Sequence, residues 1–173
     1  MIEGLETVAR LMTMSAITAP KTAGQNFVLT QIVAGEDLKK LGEAMLAYGV
    51  QTGKKRFDRD GKNVLQSEVV LLIGYRQPGT AGLNCGACGF ATCDELQAQP
   101  QGDYEFKGPV CAYRLLDVGI ALGSAVKMAS LLNVDNRIMY RIGAAARAMK
   151  LVDWDFIMGI PLSVSAKSPY FDR

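Results

Sequence analysis

All four cysteines of this 173-residue chain fall between positions 85 and 111, and the chain contains no histidine. That combination narrows the available chemistry. Without imidazole there is no Cys–His or Ser–His catalytic pair and no histidine-based zinc site. A secreted disulfide scaffold would be smaller and would spread its bridges along the chain. Thiols gathered in one segment of a cytosolic protein point instead to a metal centre.

The spacing is Cys85-x2-Cys88-x4-Cys93-x17-Cys111. Three close thiolates can wrap a cluster from one loop while a distant fourth closes the site from the next element. Four thiolates are the usual complement of [2Fe–2S] and [4Fe–4S] centres, and spacing does not separate the two. A four-cysteine zinc site is the rival, although structural zinc commonly pairs one C-x2-C with another. Gly86 and Gly89 are expected to let backbone N–H groups approach the sulfurs, and Gly108-Pro109 to turn the chain back toward Cys111. Tyr113 and Arg114 follow Cys111 closely enough to shape the surroundings of the site, with ordinary packing the plainer alternative.

Apolar residues make up 49% of the chain and charged ones 21%, enough for one domain, residues 1–173, with its own core. Helical spacing of Leu5, Val8, Ala9, Met12 and Ala16 predicts a helix over 5–18, stopped by Pro20. Residues 26–33 read as a strand and 36–48 as a helix with Leu38, Leu41, Met45 and Leu46 inward. The charged stretch 54–63 reads as a loop. Its Asp58-Arg59-Asp60-Gly61 lacks the further ligands of a calcium loop and is expected to be a hydrophilic turn. Residues 68–75 form a continuous apolar run suited to a central strand. A Gly- and Pro-rich stretch then carries the first cysteines. Helical period resumes after Cys111 to about Val134, with Gly119 and Gly123 placed for close backbone packing. A second helix is expected from Asp135, as N-cap, to Met149, then a strand over 154–164 and an irregular tail. Most of the eight methionines fall at helical core spacing and read as packing.

The order of elements predicts an α+β layered domain in which residues 76–111 form a cluster-binding insertion between a central strand and a core helix. The charge of +2, from 19 basic and 17 acidic side chains, gives no argument for nucleic acid or an anionic membrane as partner. Arg114, Asp117 and Lys127 interrupt the longest apolar stretch, and the N-terminus lacks a secretory signal. A cytoplasmic protein is expected.

The segments NCGACGFATC, GPVCAYRLLDVGIALGSAVKMA, NVDNRIMYRIG and MGIPLSVSAKSPYFDR resemble a family of uncharacterised ferredoxin-domain proteins of anaerobes, over essentially the whole chain. The resemblance implies a [4Fe–4S] cluster held by Cys85, Cys88, Cys93 and Cys111. A second likeness is to the flavin nitroreductases. Ser15–Asn26 is similar to their alanine-proline segment, and Asp117-x-Gly119 and IMGIPL are similar to later parts of that fold. This implies a nitroreductase-like fold, a homodimer and bound FMN. The Arg-x-Ser-x-Arg segment that grips the FMN phosphate in that family has no match before residue 20. Arg10, Lys21 and Arg137 are the available substitutes, each otherwise a solvated surface charge.

Three functional expectations follow. The first is an iron–sulfur redox protein that carries single electrons to a partner protein or a small-molecule acceptor. The second is a flavin-dependent oxidoreductase with the cluster as relay. The third is a structural four-cysteine zinc domain that binds a protein partner.

Overall fold

The structure, a computed structural model, describes residues 2–171. Its frame is a four-stranded antiparallel sheet in the order β1-β2-β6-β5, with β1 Val28–Ala34, β2 Val69–Tyr75, β5 Asp135–Asn136 and β6 Phe156–Ser163. The β2 sequence VVLLIGY carries no charge, and all seven of its residues are buried. Because side chains alternate across a strand, Val69, Leu71, Ile73 and Tyr75 enter one core and Val70 and Leu72 the other.

The first core is closed by α1 Ile2–Thr18 and α5 Ala112–Leu131. Helix α1 buries Leu5, Ala9, Met12 and Ala16, the stripe its sequence predicts. The second core is closed by α2 Gly35–Thr52, α3 Phe57–Leu65 and α6 Tyr140–Ala148. Gly53, just past α2, ends that helix in the left-handed conformation. Helices thus cover both faces of the sheet, an α+β arrangement as expected.

Four expectations need correction. The charged stretch 54–63 is not a loop throughout, and Asp58-Arg59-Asp60-Gly61 is no hydrophilic turn, because α3 begins at Phe57. Phe57, Asp60, Gly61 and Val64 form its inner face at helical spacing. The buried Asp60 is tolerable there because Arg59 and Arg141 pair with it, at 2.7 and 2.9 Å. Asp135 does not cap a helix. It pairs with Ser163 in β5, and α6 starts five residues later.

Gly119 and Gly123 lie on the exposed face of α5 with nothing near the Cβ each lacks. Close packing occurs instead where α6 crosses β6. A Cβ on Gly143 would stand 1.8 Å from the Ile157 carbonyl oxygen, and one on Gly159 would overlap the Ile142 side chain. Finally, two charges expected at the surface are committed internally. Lys21 donates through Nζ to the carbonyls of Ala16, Ile17 and Ala19 at the end of α1. Arg137 donates to the Tyr170 carbonyl at 2.8 Å. The tail through Phe171 is irregular, with Tyr170 buried; Asp172 and Arg173 lie outside the described residues.

Candidate functional site

Residues 76–111 connect β2 to α5 and contain only α4, Cys93–Gln97, and a short hairpin of β3, Gly102–Asp103, and β4, Lys107–Gly108. Such a segment has little apolar surface to bury, so its path is set by polar contacts. Asp155, at the start of β6, holds both of its ends. The Asp155 carboxylate accepts the Gln77 backbone N–H at 2.7 Å and pairs with Lys107 Nζ at 3.0 Å. Its carbonyl also accepts the Lys107 N–H, at 3.0 Å.

Arg114, buried in the first turn of α5, ties the middle of the segment to the N-terminal region. Its guanidinium donates to the Thr80 carbonyl at 3.1 Å, to Gln25 Oε1 at 2.6 Å and to Asp117 Oδ2 at 3.2 Å. It also stacks 4.5 Å from the centre of the Phe27 ring. Asp117 in turn accepts both the backbone N–H and the hydroxyl of Thr22. The Ser15–Asn26 segment is therefore pinned directly against the N-terminal half of α5. A buried guanidinium is expensive unless neutralised, and Asp117 with the carbonyl acceptors supplies that compensation.

Cys85, Cys88, Cys93 and Cys111 all line one narrow pocket. Cys85 is exposed, Cys88 and Cys93 are half-buried, and Cys111 is buried at the start of α5. Gly86 and Gly89 take φ of +74° and +88°, a region that disfavours side chains, and so carry the loop around between the first cysteines. The Gly89 N–H turns to the Gly86 carbonyl, at 2.9 Å, and not to a sulfur. The N–H directed at sulfur comes from Asn84, 3.4 Å from Cys93 Sγ, while Asn84 Oδ1 accepts the Cys93 N–H at 2.8 Å. Hydrogen bonding from the Asn84 backbone holds the Cys93 thiol below its ordinary value. Slight burial opposes this, and the Thr80 hydroxyl and the Gly82 and Leu83 backbone add to it.

Sequence reasoning missed Asn84, Thr80 and Asp155. Only α4 left a readable signal, Thr92-x-x-Glu95: the Thr92 hydroxyl accepts the Glu95 N–H at 3.2 Å, and Glu95 reaches back to the Ala91 N–H.

The donor set suits an iron–sulfur cluster: four thiols on one pocket, in a chain without histidine. Among the described residues no three Cys, Asp or Glu side chains form a ready-made site for a single ion. Also among the described residues, no helix is long and apolar enough to cross a membrane.

Residues 107–173 match a family described as uncharacterized proteins containing a ferredoxin domain. An uncharacterized protein of Archaeoglobus fulgidus is 46% identical over 171 residues, covering 99% of this chain and 92% of its own. Among solved structures, the FMN-dependent nitroreductase NfnB of Mycobacterium smegmatis, in complex with NADPH, superposes with a TM-score of 0.60 at 12% identity. That match covers 95% of this chain and 81% of NfnB. The nitroreductase CinD of Lactococcus lactis, in complex with 4-nitrophenol, gives 0.62 at 14% identity, over 94% and 80% of the two chains. The fold is nitroreductase-like.

Proposed function

The chain belongs to the family of uncharacterized proteins containing a ferredoxin domain, and from that premise we propose that it is an iron–sulfur redox protein whose [4Fe–4S] cluster is held by Cys85, Cys88, Cys93 and Cys111. The observation that carries the reading is that all four cysteines line one pocket. A cluster bound there supplies one-electron chemistry, passing single electrons to a partner protein or a small acceptor. The protein's own residues fix the ligand loop: Asp155 at its ends, Arg114 behind Thr80, and Asn84 against Cys93. On this reading residues 76–111 are a cluster-binding insertion in one cytoplasmic domain. Purification without oxygen is expected to give a brown protein with about four irons and four sulfides per chain. A colourless protein holding stoichiometric zinc would replace this reading with the structural zinc domain.

Two extensions rest on the fold. The first is a homodimer, supported by a stripe on the outer face of α5 that is apolar apart from Lys127. Leu116, Ile120 and Leu131 are 56%, 46% and 66% exposed, with Gly119 and Gly123 among them. Ile120→Glu places a charge in that stripe and is expected to give a monomer with its cluster intact. Light scattering that finds the unaltered chain already monomeric at micromolar concentration rejects the dimer. The second is flavin use, favoured by likeness to FMN-dependent structures. Of the three substitutes, Lys21 caps α1 and Arg137 holds the tail, which leaves the exposed Arg10 alone to grip a phosphate. FMN is therefore expected to bind weakly and be lost on purification. Titration showing nanomolar affinity contradicts this, and no binding at millimolar FMN removes the flavoenzyme.

A further inference from the structure

Cys111 lines two pockets. On one side it meets the other three cysteines; on the other it forms a wall of a separate cleft of about 250 Å³. That second cleft has an unusual lining. Gln77, Gln97, Gln99 and Gln101 contribute amides, Thr80 a hydroxyl, and Leu96, Pro109 and Val110 apolar surface. No charged side chain lines it among the described residues, although 21% of the chain is charged. The larger cleft elsewhere, beside α6, differs on each count. It is lined by acids and bases, of which Arg147 and Asp103 bind each other, and it contains no cysteine.

The amides of the small cleft offer both kinds of hydrogen bond. Gln97 donates through Nε2 to Thr80 Oγ1, at 3.3 Å, and Gln99 through Nε2 to the Glu95 carbonyl, at 3.0 Å. Each keeps its carbonyl oxygen for another partner. The side chains of Gln77 and Gln101, both at exposed positions, are engaged by no other described residue and keep donor and acceptor together. Ligand sites are typically apolar clefts with a few polar groups that fix orientation, and neutral amides favour neutral hydrogen-bonding partners over ions. A cavity of about 150 Å³ accommodates benzene, so this one has room for one or two rings.

We propose that this cleft binds an uncharged one- or two-ring compound carrying C=O and N–H groups on its edge, and that it is the small-molecule acceptor site of the redox protein, where the reduced cluster would give up one electron and the conjugated carbonyl of the ring would take it. The second half rests on the cluster reading. Its placement follows from Cys111, which lines both this cleft and the cysteine pocket.

The test uses 2-quinolone, a neutral two-ring lactam, with 2-naphthoate and N-methylquinolinium as charged controls, followed by saturation-transfer NMR on the intact protein. Saturable binding of the lactam, with weaker binding of both ions, is expected. Gln101→Trp, at an exposed position, fills the cleft and should weaken binding at least about tenfold. Gln97→Leu removes one neutral hydrogen bond and should weaken it about three- to tenfold. In the reduced, cluster-loaded protein the lactam should also alter the electron-paramagnetic spectrum, and Gln101→Trp should abolish that change.

Absence of binding at millimolar lactam in iron-loaded protein, or equal binding by Gln101→Trp, overturns the site and leaves the cluster reading standing. Binding that Gln101→Trp blocks, in a protein without iron, keeps the cleft and overturns its acceptor role. A spectrum unmoved by saturating lactam overturns that role as well.

Discussion

The sheet with its helices and the segment 76–111 are held by different physics. The sheet is held by burial: β2 has no exposed residue, and its two faces enter two separate cores. The cysteine segment buries little beyond Pro78, Leu96 and Cys111, and depends on point contacts to Asp155 and Arg114. Apolar packing is distributed and tolerates small losses, whereas a segment fixed at a few polar points can loosen while the rest of the fold remains. A bound cluster would add four covalent anchors where the chain itself supplies fewest. The segment should thus be the part whose order depends most on its cofactor.

The most damaging way to break this contrast is Gly143→Ala. The new methyl would meet the Ile157 backbone carbonyl, which has no rotamer to move to, so α6 must lift from β6. A loss of about 4 kcal/mol or more is expected, with both regions unfolding together. Thermal denaturation within a degree of the parent would refute the packing described.

Asp155→Ala should separate the two regions. It removes the acceptor for Gln77 N–H and the partner of Lys107 at the two ends of the segment. About 1–3 kcal/mol is expected, discounted because Lys107 is partly exposed. Hydrogen exchange should quicken across 77–107 while amides in β2 stay protected. Equal loss in both regions would make the segment part of the same cooperative unit.

The smallest effect belongs to Tyr75, whose hydroxyl lies buried without a hydrogen-bond partner among the described residues. Burial raises its pKa well above the ordinary tyrosine value, and the nearby Asp155 carboxylate raises it further. The unfolded chain's phenol ionises first, so stability from this group is complete below about pH 10 and declines as pH rises beyond it. Tyr75→Phe should be neutral or stabilising by up to about 1 kcal/mol at pH 7, and should flatten the alkaline decline. A steeper decline in the variant would mean that the fold lowers the Tyr75 pKa instead of raising it, and would refute this account of its burial.

The same contrast governs what could be read from the sequence. β2 and α1 are legible because burial leaves a pattern: an unbroken apolar run in one, a regular inner stripe in the other. Helix α3 is hidden by its charges, since nothing local shows that Arg141, far along the chain, will neutralise Asp60. Asp155 is illegible for the same reason, its partners lying at residues 77 and 107. The cysteines declare their chemistry by type and spacing, but the residues that arrange them are set by tertiary contact. The glycine pairs teach a similar lesson: spacing suggests close approach at Gly119 and Gly123, but the partner surface that gives it meaning lies at Gly143 and Gly159.

The central claim, one cluster held by these four thiols, is tested most directly by electron-paramagnetic resonance on dithionite-reduced protein beside Cys111→Ser. Serine is a harder and poorer iron ligand, and Cys111 is the only one of the four fixed to a core helix. A [4Fe–4S] signal is expected in the parent and a lost or altered signal with less iron in the variant, while the sheet keeps its circular dichroism. Identical spectra and iron content in the two proteins, or a parent with no signal and bound zinc, would contradict it.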